Sequence, residues 1–182
     1  MPADLCSGKE TLYFPAMKPV HFPIKLKIAT KDGDFIATYS EDGLRETSFP
    51  GRETNPKLTD TVPPQVRAWH LLTTAAIKDI LAGRAPKKLP PLDLSKGTTF
   101  QRKVWNAMLK VGFGKTSSYG EIAKMAGNAK AVRAVGGACG ANPIPVLVPC
   151  HRILAAGGKI GGFSSGMHWK HTLLEREGVL LA

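Results

Sequence analysis

Ser118-Tyr-Gly-Glu-Ile-Ala-Lys-Met-Ala-Gly-Asn-Ala-Lys-Ala-Val-Arg-Ala-Val-Gly-Gly-Ala-Cys-Gly140 leads through Ala141 into Asn142-Pro-Ile-Pro-Val-Leu-Val-Pro-Cys-His-Arg152, and the rest of the chain can be placed around these two runs. Ser118 and Glu121 have capping-box spacing, in which the serine side chain accepts from one orphan N–H and the glutamate reaches back to another. The spacing predicts a short helix to Ala126, closed by Gly127, then a second helix capped by Asn128 and running through Lys130, Val132, Arg133, Val135 and Ala138. Two short helices joined by a tight Gly-Asn turn are a helix-turn-helix candidate.

The second helix is almost bare of bulk, with Ala131, Ala134, Gly136, Gly137, Ala138 and Gly140. Each interior glycine costs about 1 kcal/mol relative to alanine, so something must offset it. Either another element of the chain packs closely there, or a thin helix enters a narrow groove with Arg133 as its one long cation. A reader of base edges in the major groove carries Gln, Asn, Arg or Ser at several positions. Methyls and hydrogens suit shape, backbone contact and base displacement instead.

In the second run, Pro143, Pro145 and Pro149 fix φ and remove donors, which excludes ordinary helix and predicts a stiff extended segment. Val146, Leu147 and Val148 favour its burial. It delivers Cys150 and His151 to the wall of a cavity, where a cysteine is either a nucleophile or a core residue.

Upstream, after a loose start, Ile24 to Ala29 alternates apolar and polar residues in the period of a half-buried strand, and Asp32-Gly33-Asp34 is a turn. Phe35 to Tyr39, a turn at Glu41-Asp42-Gly43, and Leu44 to Phe49 complete an antiparallel meander of three strands. Residues 50–63 read as a loop. From Pro64, Val66, Trp69, Leu72, Ala76, Ile77, Ile80 and Leu81 recur at helical spacing up to Gly83. Residues 84–97, with three prolines, form a connector. The expected organisation is therefore α/β in the α+β sense: residues 1–94 a sheet-plus-helix domain, residues 95–182 a mainly helical domain containing the helix-turn-helix. The latter opens with a helix capped at Thr98 or Thr99, carrying Phe100, Val104, Met108 and Leu109 and ending at Gly112 and Gly114. A Gly-rich loop from Ala155 to Gly166 could close over a pocket, and a last helix spans Trp169 to Glu177. Its Lys170 and Glu177, two turns apart on one face, read from the residues alone as unrelated solvated charges.

The net charge is +11, an excess that attracts polyanions. It is concentrated: residues 1–94 hold 13 Lys/Arg against 11 Asp/Glu, residues 95–182 hold 12 against 3. No apolar run reaches the roughly 20 residues of a membrane span, and no signal-peptide pattern opens the chain. The three cysteines lack framework spacing, so a reducing compartment with free thiols is expected, the cytoplasm, or the nucleus of a eukaryotic cell.

Tyr119, Arg133, Asn142, Pro-Cys-His-Arg at 149–152, Lys170 and Glu177 together resemble the O6-alkylguanine-DNA alkyltransferase family. The likeness runs nearly without gaps over residues 99–178. It includes Ser-Tyr-Gly-Glu-Ile-Ala at 118–123, Ala-Val-Gly-Gly-Ala at 134–138 and Lys-x-x-Leu-Leu-x-x-Glu at 170–177. Residues 1–94 are similar only in layout. The resemblance implies a cofactor-free, single-turnover transfer of an alkyl group from O6-alkylguanine in duplex DNA to Cys150, with O4-alkylthymine as a second candidate lesion. It implies a monomer, with cooperation between neighbours on DNA left open.

By the same resemblance His151 takes the thiol proton through a water and Glu177 steadies the imidazolium, a Cys-His-Glu relay with protease-triad logic. Tyr119 and Lys170 are the implied donors to the departing guanine. Arg133 fills the space of the extruded base, Tyr119 helps turn the phosphate, and Ala134 to Gly136 lie in the minor groove. Asn142 ties the second helix to the active-site segment, while Val148, Phe163 and Ser164 line the base pocket. Phe163 stands where many members have tyrosine, so that hydroxyl is not essential here. Some relatives hold a structural zinc in the first domain; Cys6, His21 and His70 do not match that site, and no metal is expected. A non-enzymatic alkyltransferase-like protein that only binds alkylated DNA is the alternative, disfavoured because Cys150 is retained. A Cys-His hydrolase would leave the basic half and the bare helix unexplained.

Overall fold

The computed structural model describes residues 21–53 and 57–180; the loose start expected ahead of them, with Cys6, lies outside the described residues. Three antiparallel strands, β1 (Ile24–Thr30), β2 (Gly33–Tyr39) and β3 (Leu44–Ser48), form a sheet in sequence order. Ile24 faces Tyr39 and Ile28 faces Phe35 across β1 and β2, so one register buries all four on the same side. Helix α1 (Pro64–Leu81) starts on proline, whose missing N–H is no loss there. It packs Val66, Trp69, Ala76, Ile77 and Ile80 into the core. The Tyr39 hydroxyl donates to Thr73 Oγ1 at 2.9 Å, pinning sheet to helix.

In the second half α2 (Thr99–Met108) begins with a complete Thr98/Gln101 capping box. It ends before the expected glycines, because Lys110 and Val111 donate to carbonyls three residues back and tighten the chain into a turn. Helix α3 (Tyr119–Met125) has both halves of the Ser118/Glu121 box, and Gly127 closes it at φ 88°. Helix α4 spans Val132–Gly140. Asn128 does not cap it: its Oδ1 accepts from Lys130 N at 3.2 Å, a local Asx turn, and Ala131 takes the cap position without a side-chain bond. Helices α2, α3 and α4 pack on one another, and Trp105 Nε1 donates to the Ala138 carbonyl at 2.8 Å. Ser117–Ser118 (β4) and Ile153–Leu154 (β5) pair in parallel; strands of two residues are too short to leave a period in the sequence. Helix α5 covers Met167–Arg176.

The proline run is not extended. Residues 143–148 coil through successive turns, with Val146 at φ 76° and Val148 N donating to Ile144 O at 2.9 Å. A β-branched residue in the left-handed region costs on the order of 1–3 kcal/mol, so its surroundings must hold it. Pro143 and Pro145 offer only carbonyls, and Thr47 of β3 takes both, through its N–H at 2.9 Å and its hydroxyl at 2.9 Å. The first sheet is thereby the brace of the segment that ends at Cys150.

A single buried cluster runs from the sheet and α1 through α2, α3 and α4 to Ile153. The connector lies along β3, with Leu44 and residues 91–93 exchanging backbone bonds at 2.8 Å. Arg176 of α5 grips Asp32 in the first turn with two bonds of 2.6 and 2.7 Å. No helix among the described residues is long and apolar enough to cross a membrane.

Candidate active site

Cys150 opens a single 3-10 turn, Cys150–Arg152, and is only 5% exposed. Asn142, two residues past α4, fastens the thiol in place. Its Nδ2 donates to Cys150 Sγ at 3.1 Å and to the Val148 carbonyl at 2.7 Å, while Oδ1 accepts from Ile144 N at 3.0 Å. Burial pushes the thiol above its ordinary pKa; the Asn142 amide, the Lys170 charge and the nearby backbone N–H groups oppose that shift. Asn142→Asp replaces the amide donor by an oxygen facing a carbonyl and a sulfur. It should lower stability by about 1–3 kcal/mol and move iodoacetamide labelling of Cys150, followed by peptide mapping, to higher pH.

His151, Arg152 and Glu177 form a buried network. Glu177 Oε1 meets His151 Nε2 and an Arg152 guanidinium nitrogen, each at 2.9 Å. Oε2 accepts from Arg152 Nε at 2.9 Å and from Gly114 N at 3.1 Å. Burial would raise the carboxyl, but the bonds from His151 and Arg152 outweigh it and hold the Glu177 pKa down at about 2. An ionised carboxylate only accepts, so Nε2 of His151 carries the proton and Nδ1 presents a lone pair. That Nδ1 is buried and has no hydrogen-bond partner among the described residues. Burial also holds the imidazole below its ordinary pKa, so it is a neutral base ready for one proton.

Between α4 and the loop at 161–165 lies a cavity of about 220 Å³, with Cys150 in its lining. Tyr119, Phe163 and Ser164 contribute side-chain walls, and Gly136, Gly140 and Gly162 keep it open. Burial raises the Tyr119 pKa, so the phenol stays a donor at neutral pH. Gly161 has φ 67°, and a Cβ there would sit 3.3 Å from the Tyr119 ring, which favours glycine at this bend twice over. Lys170 is wholly buried, with Nζ donating to Ile153 O at 2.7 Å and Gly162 O at 3.4 Å; it ties the loop to β5. Lys170 and Glu177 are thus interior groups, unlike the solvated pair that the residues alone predict. Val148, expected in the lining, is not part of it: it is buried, and its carbonyl accepts from Asn142. Arg133 and Ala134 stand exposed on α4, outside the lining.

The bare face of α4 is not explained by packing against the described residues. Among the described residues, a Cβ added at Gly136, Gly137 or Gly140 would meet no atom within 4 Å, so close packing against them is not the reason for these glycines. The sequence reading also missed Arg152 as the second partner of Glu177 and Cys139 as a cavity residue. The first was hidden in a motif read for its cysteine and histidine, the second in a run read only for its small size.

Residues 99–179 match the family model described as 6-O-methylguanine DNA methyltransferase, DNA binding domain. The fold is similar to that of the Mycobacterium tuberculosis OGT solved in complex with DNA, with a TM-score of 0.68 and 35% identity over 85% of this chain and 92% of that one. The chain belongs to the O6-methylguanine-DNA methyltransferase family. Another family structure, the O6-methylguanine-DNA methyltransferase of the archaeon Pyrococcus kodakaraensis, gives a TM-score of 0.59 at 26% identity over 87% of this chain and 100% of that one. The methylated-DNA-protein-cysteine methyltransferase of Methanosarcina acetivorans is 53% identical over 83 residues, 46% of this chain and 53% of the relative. The chain thus spans about half the length of the curated relatives it matches. For this member of the methyltransferase family, the segment matched by the family model contains Tyr119, Arg133, Asn142, Cys150, His151, Lys170 and Glu177.

Proposed function

We propose that this chain repairs alkylated duplex DNA by extruding O6-alkylguanine and transferring the alkyl group irreversibly to Cys150, once per molecule and without a cofactor. O4-alkylthymine is the second lesion in scope. The observation that carries the reading is a thiol in the lining of a base-sized cavity, next to a helix kept bare by glycines that no packing among the described residues requires. The cavity is smaller than the roughly 300–1,000 Å³ of common ligand pockets, which suits a single base.

In this reading α3, the turn and α4 act as a helix-turn-helix on the DNA, and residues 1–94 brace the acceptor domain at 95–182. The Cys150 proton passes through a water to His151 Nδ1, whose Nε2–H is held by Glu177. The thiolate attacks the saturated alkyl carbon, a C–S bond forms, the C–O6 bond breaks, and the guanine anion takes a proton from Tyr119. Lys170 supplies positive charge beside the thiol and holds the loop that carries Phe163 and Ser164. Titrating the chain with excess duplex containing O6-methylguanine should give repair that stops at one lesion per protein. Continued turnover would make it a hydrolase or a true catalyst instead.

Two variants test the DNA face. Arg133 is exposed and supports extrusion rather than chemistry, so Arg133→Ala should slow repair in duplex on the order of tenfold or more and leave reaction with free O6-methylguanine base nearly unchanged. Equal loss on both substrates would remove Arg133 from extrusion. Gly136→Ala should raise folding stability by up to about 1 kcal/mol, since a helix gains and nothing clashes. The same methyl at the cavity edge should slow repair, a split between thermal melting and repair rate that a structural role alone does not produce.

A further inference from the structure

Among the described residues, Cys139 is the thiol that the transfer leaves unused. It is buried on α4, with Sγ donating to Met108 Sδ at 3.5 Å, and it lines the same cavity of about 220 Å³ as Cys150. Asn142 bridges the two residues: its backbone N–H donates to the Cys139 carbonyl at 3.3 Å and its side-chain amide to Cys150 Sγ at 3.1 Å. The Lys170 ammonium acts on both sulfurs. An acceptor that works once is lost for good if oxidised beyond the sulfenic state.

We propose that Cys139 is a resolving thiol, which captures a hydroperoxide-oxidised Cys150 as a Cys139–Cys150 disulfide across the cavity and preserves it for later reduction. In the first step the Cys150 thiolate attacks the peroxide, the O–O bond breaks, and the departing oxygen leaves as water or alcohol with the thiol's proton. Cys150 becomes a sulfenic acid and the peroxide is reduced. In the second step Cys139 sulfur attacks the sulfenic sulfur, the S–O bond breaks, and hydroxide leaves as water with the Cys139 proton. The order follows from the surroundings. The Asn142 amide donates to Cys150 Sγ at 3.1 Å and so favours a thiolate there, whereas Cys139 Sγ keeps its proton on Met108 Sδ and has only to attack Cys150 within the same molecule. Closing the bond requires Cys139 to rotate off Met108 and bring the pair to disulfide geometry.

The test uses the full chain carrying Cys6→Ser, so that no third thiol competes. After stoichiometric hydrogen peroxide, the protein should lose two hydrogens in mass, lose both thiols to a maleimide, and yield a linked peptide joining residues 139 and 150. Dithiothreitol should then restore both thiols. With Cys139→Ala added, Cys150 should advance to sulfinic and sulfonic acids that dithiothreitol does not reverse. Absence of the 139–150 linked peptide in the parent chain overturns the proposal whatever the variant does, and so does equal protection of Cys150 with and without Cys139. The disulfide readout does not depend on alkyl transfer, and methyl uptake measured on the untreated chain tells failure of the one from failure of the other.

Discussion

Replacing Cys150 by alanine is expected to abolish methyl uptake entirely while the chain still binds duplex DNA. Sγ is the protein atom that bonds the alkyl carbon in the proposed reaction, and the variant removes it. Cys139, the other thiol in the cavity, is held protonated by burial. The surface expected to meet phosphate is separate, on the exposed side of α4 with Arg133 and in the basic second half. Fluorescence anisotropy with labelled duplex should therefore give an affinity close to that of the parent, falling steeply with salt in both. The fold should lose only about 1 kcal/mol, because Asn142 keeps its bond to the Val148 carbonyl. Methyl uptake persisting in this variant would place the acceptor elsewhere.

Glu177→Ala should have the largest effect on stability. It strips a buried guanidinium of the two charge-assisted hydrogen bonds that pair it with the carboxylate and leaves Gly114 N and His151 Nε2 without an acceptor. Breaking a buried pair from one side costs about 3–5 kcal/mol, roughly 10 °C of melting temperature for a chain of this size. Transfer should fall with it, since the imidazole loses the group that fixes its tautomer. The milder Glu177→Gln separates the two effects through pH. The folded carboxyl sits at about 2 against an ordinary 4.5. Its stabilisation is therefore complete above 4.5 and is lost as pH falls from there through about 2. His151 adds to acid lability from higher pH: its folded pKa is lowered, so the unfolded chain binds the proton first once pH falls below the ordinary histidine value. Urea unfolding of the parent should weaken in both steps, while Glu177→Gln should show a shallower lower step, to which Asp32 and Asp93, also lowered by their partners, still contribute. An unchanged slope between 4.5 and 2 would mean that Glu177 is not the acid-sensitive group.

The meander, α1, the threonine start of α2 and the capping box of α3 were legible because each rests on local chemistry: alternation, helical spacing, a hydroxyl at a helix start, and one three residues ahead of a Glu. The coiled path of 143–148 was not. Three prolines exclude a helix without choosing between an extended segment and a chain of turns, and the choice falls to Thr47, about a hundred residues upstream, which claims the proline carbonyls. Asn128 shows the same limit at short range, since an Asx turn and a helix cap use the same oxygen. In the site, the residues alone set Cys150 and His151 at a cavity wall, whereas Glu177 entered only through resemblance. Periodicity alone put Lys170 and Glu177 on a solvated face, because burial of a charge depends on partners, here Arg152, Ile153 and Gly162, that lie in other elements.

The central claim is that Cys150 itself receives the alkyl group from DNA. Its most direct test is the mass of the intact protein, followed by peptide mapping, after reaction with an excess of duplex carrying O6-methylguanine. The expected result is the gain of one methyl group, located on Cys150, with unmodified guanine left in the DNA and no second addition on longer incubation. A protein of unchanged mass that still binds the lesion, or a methyl group mapped to any other residue, would contradict it.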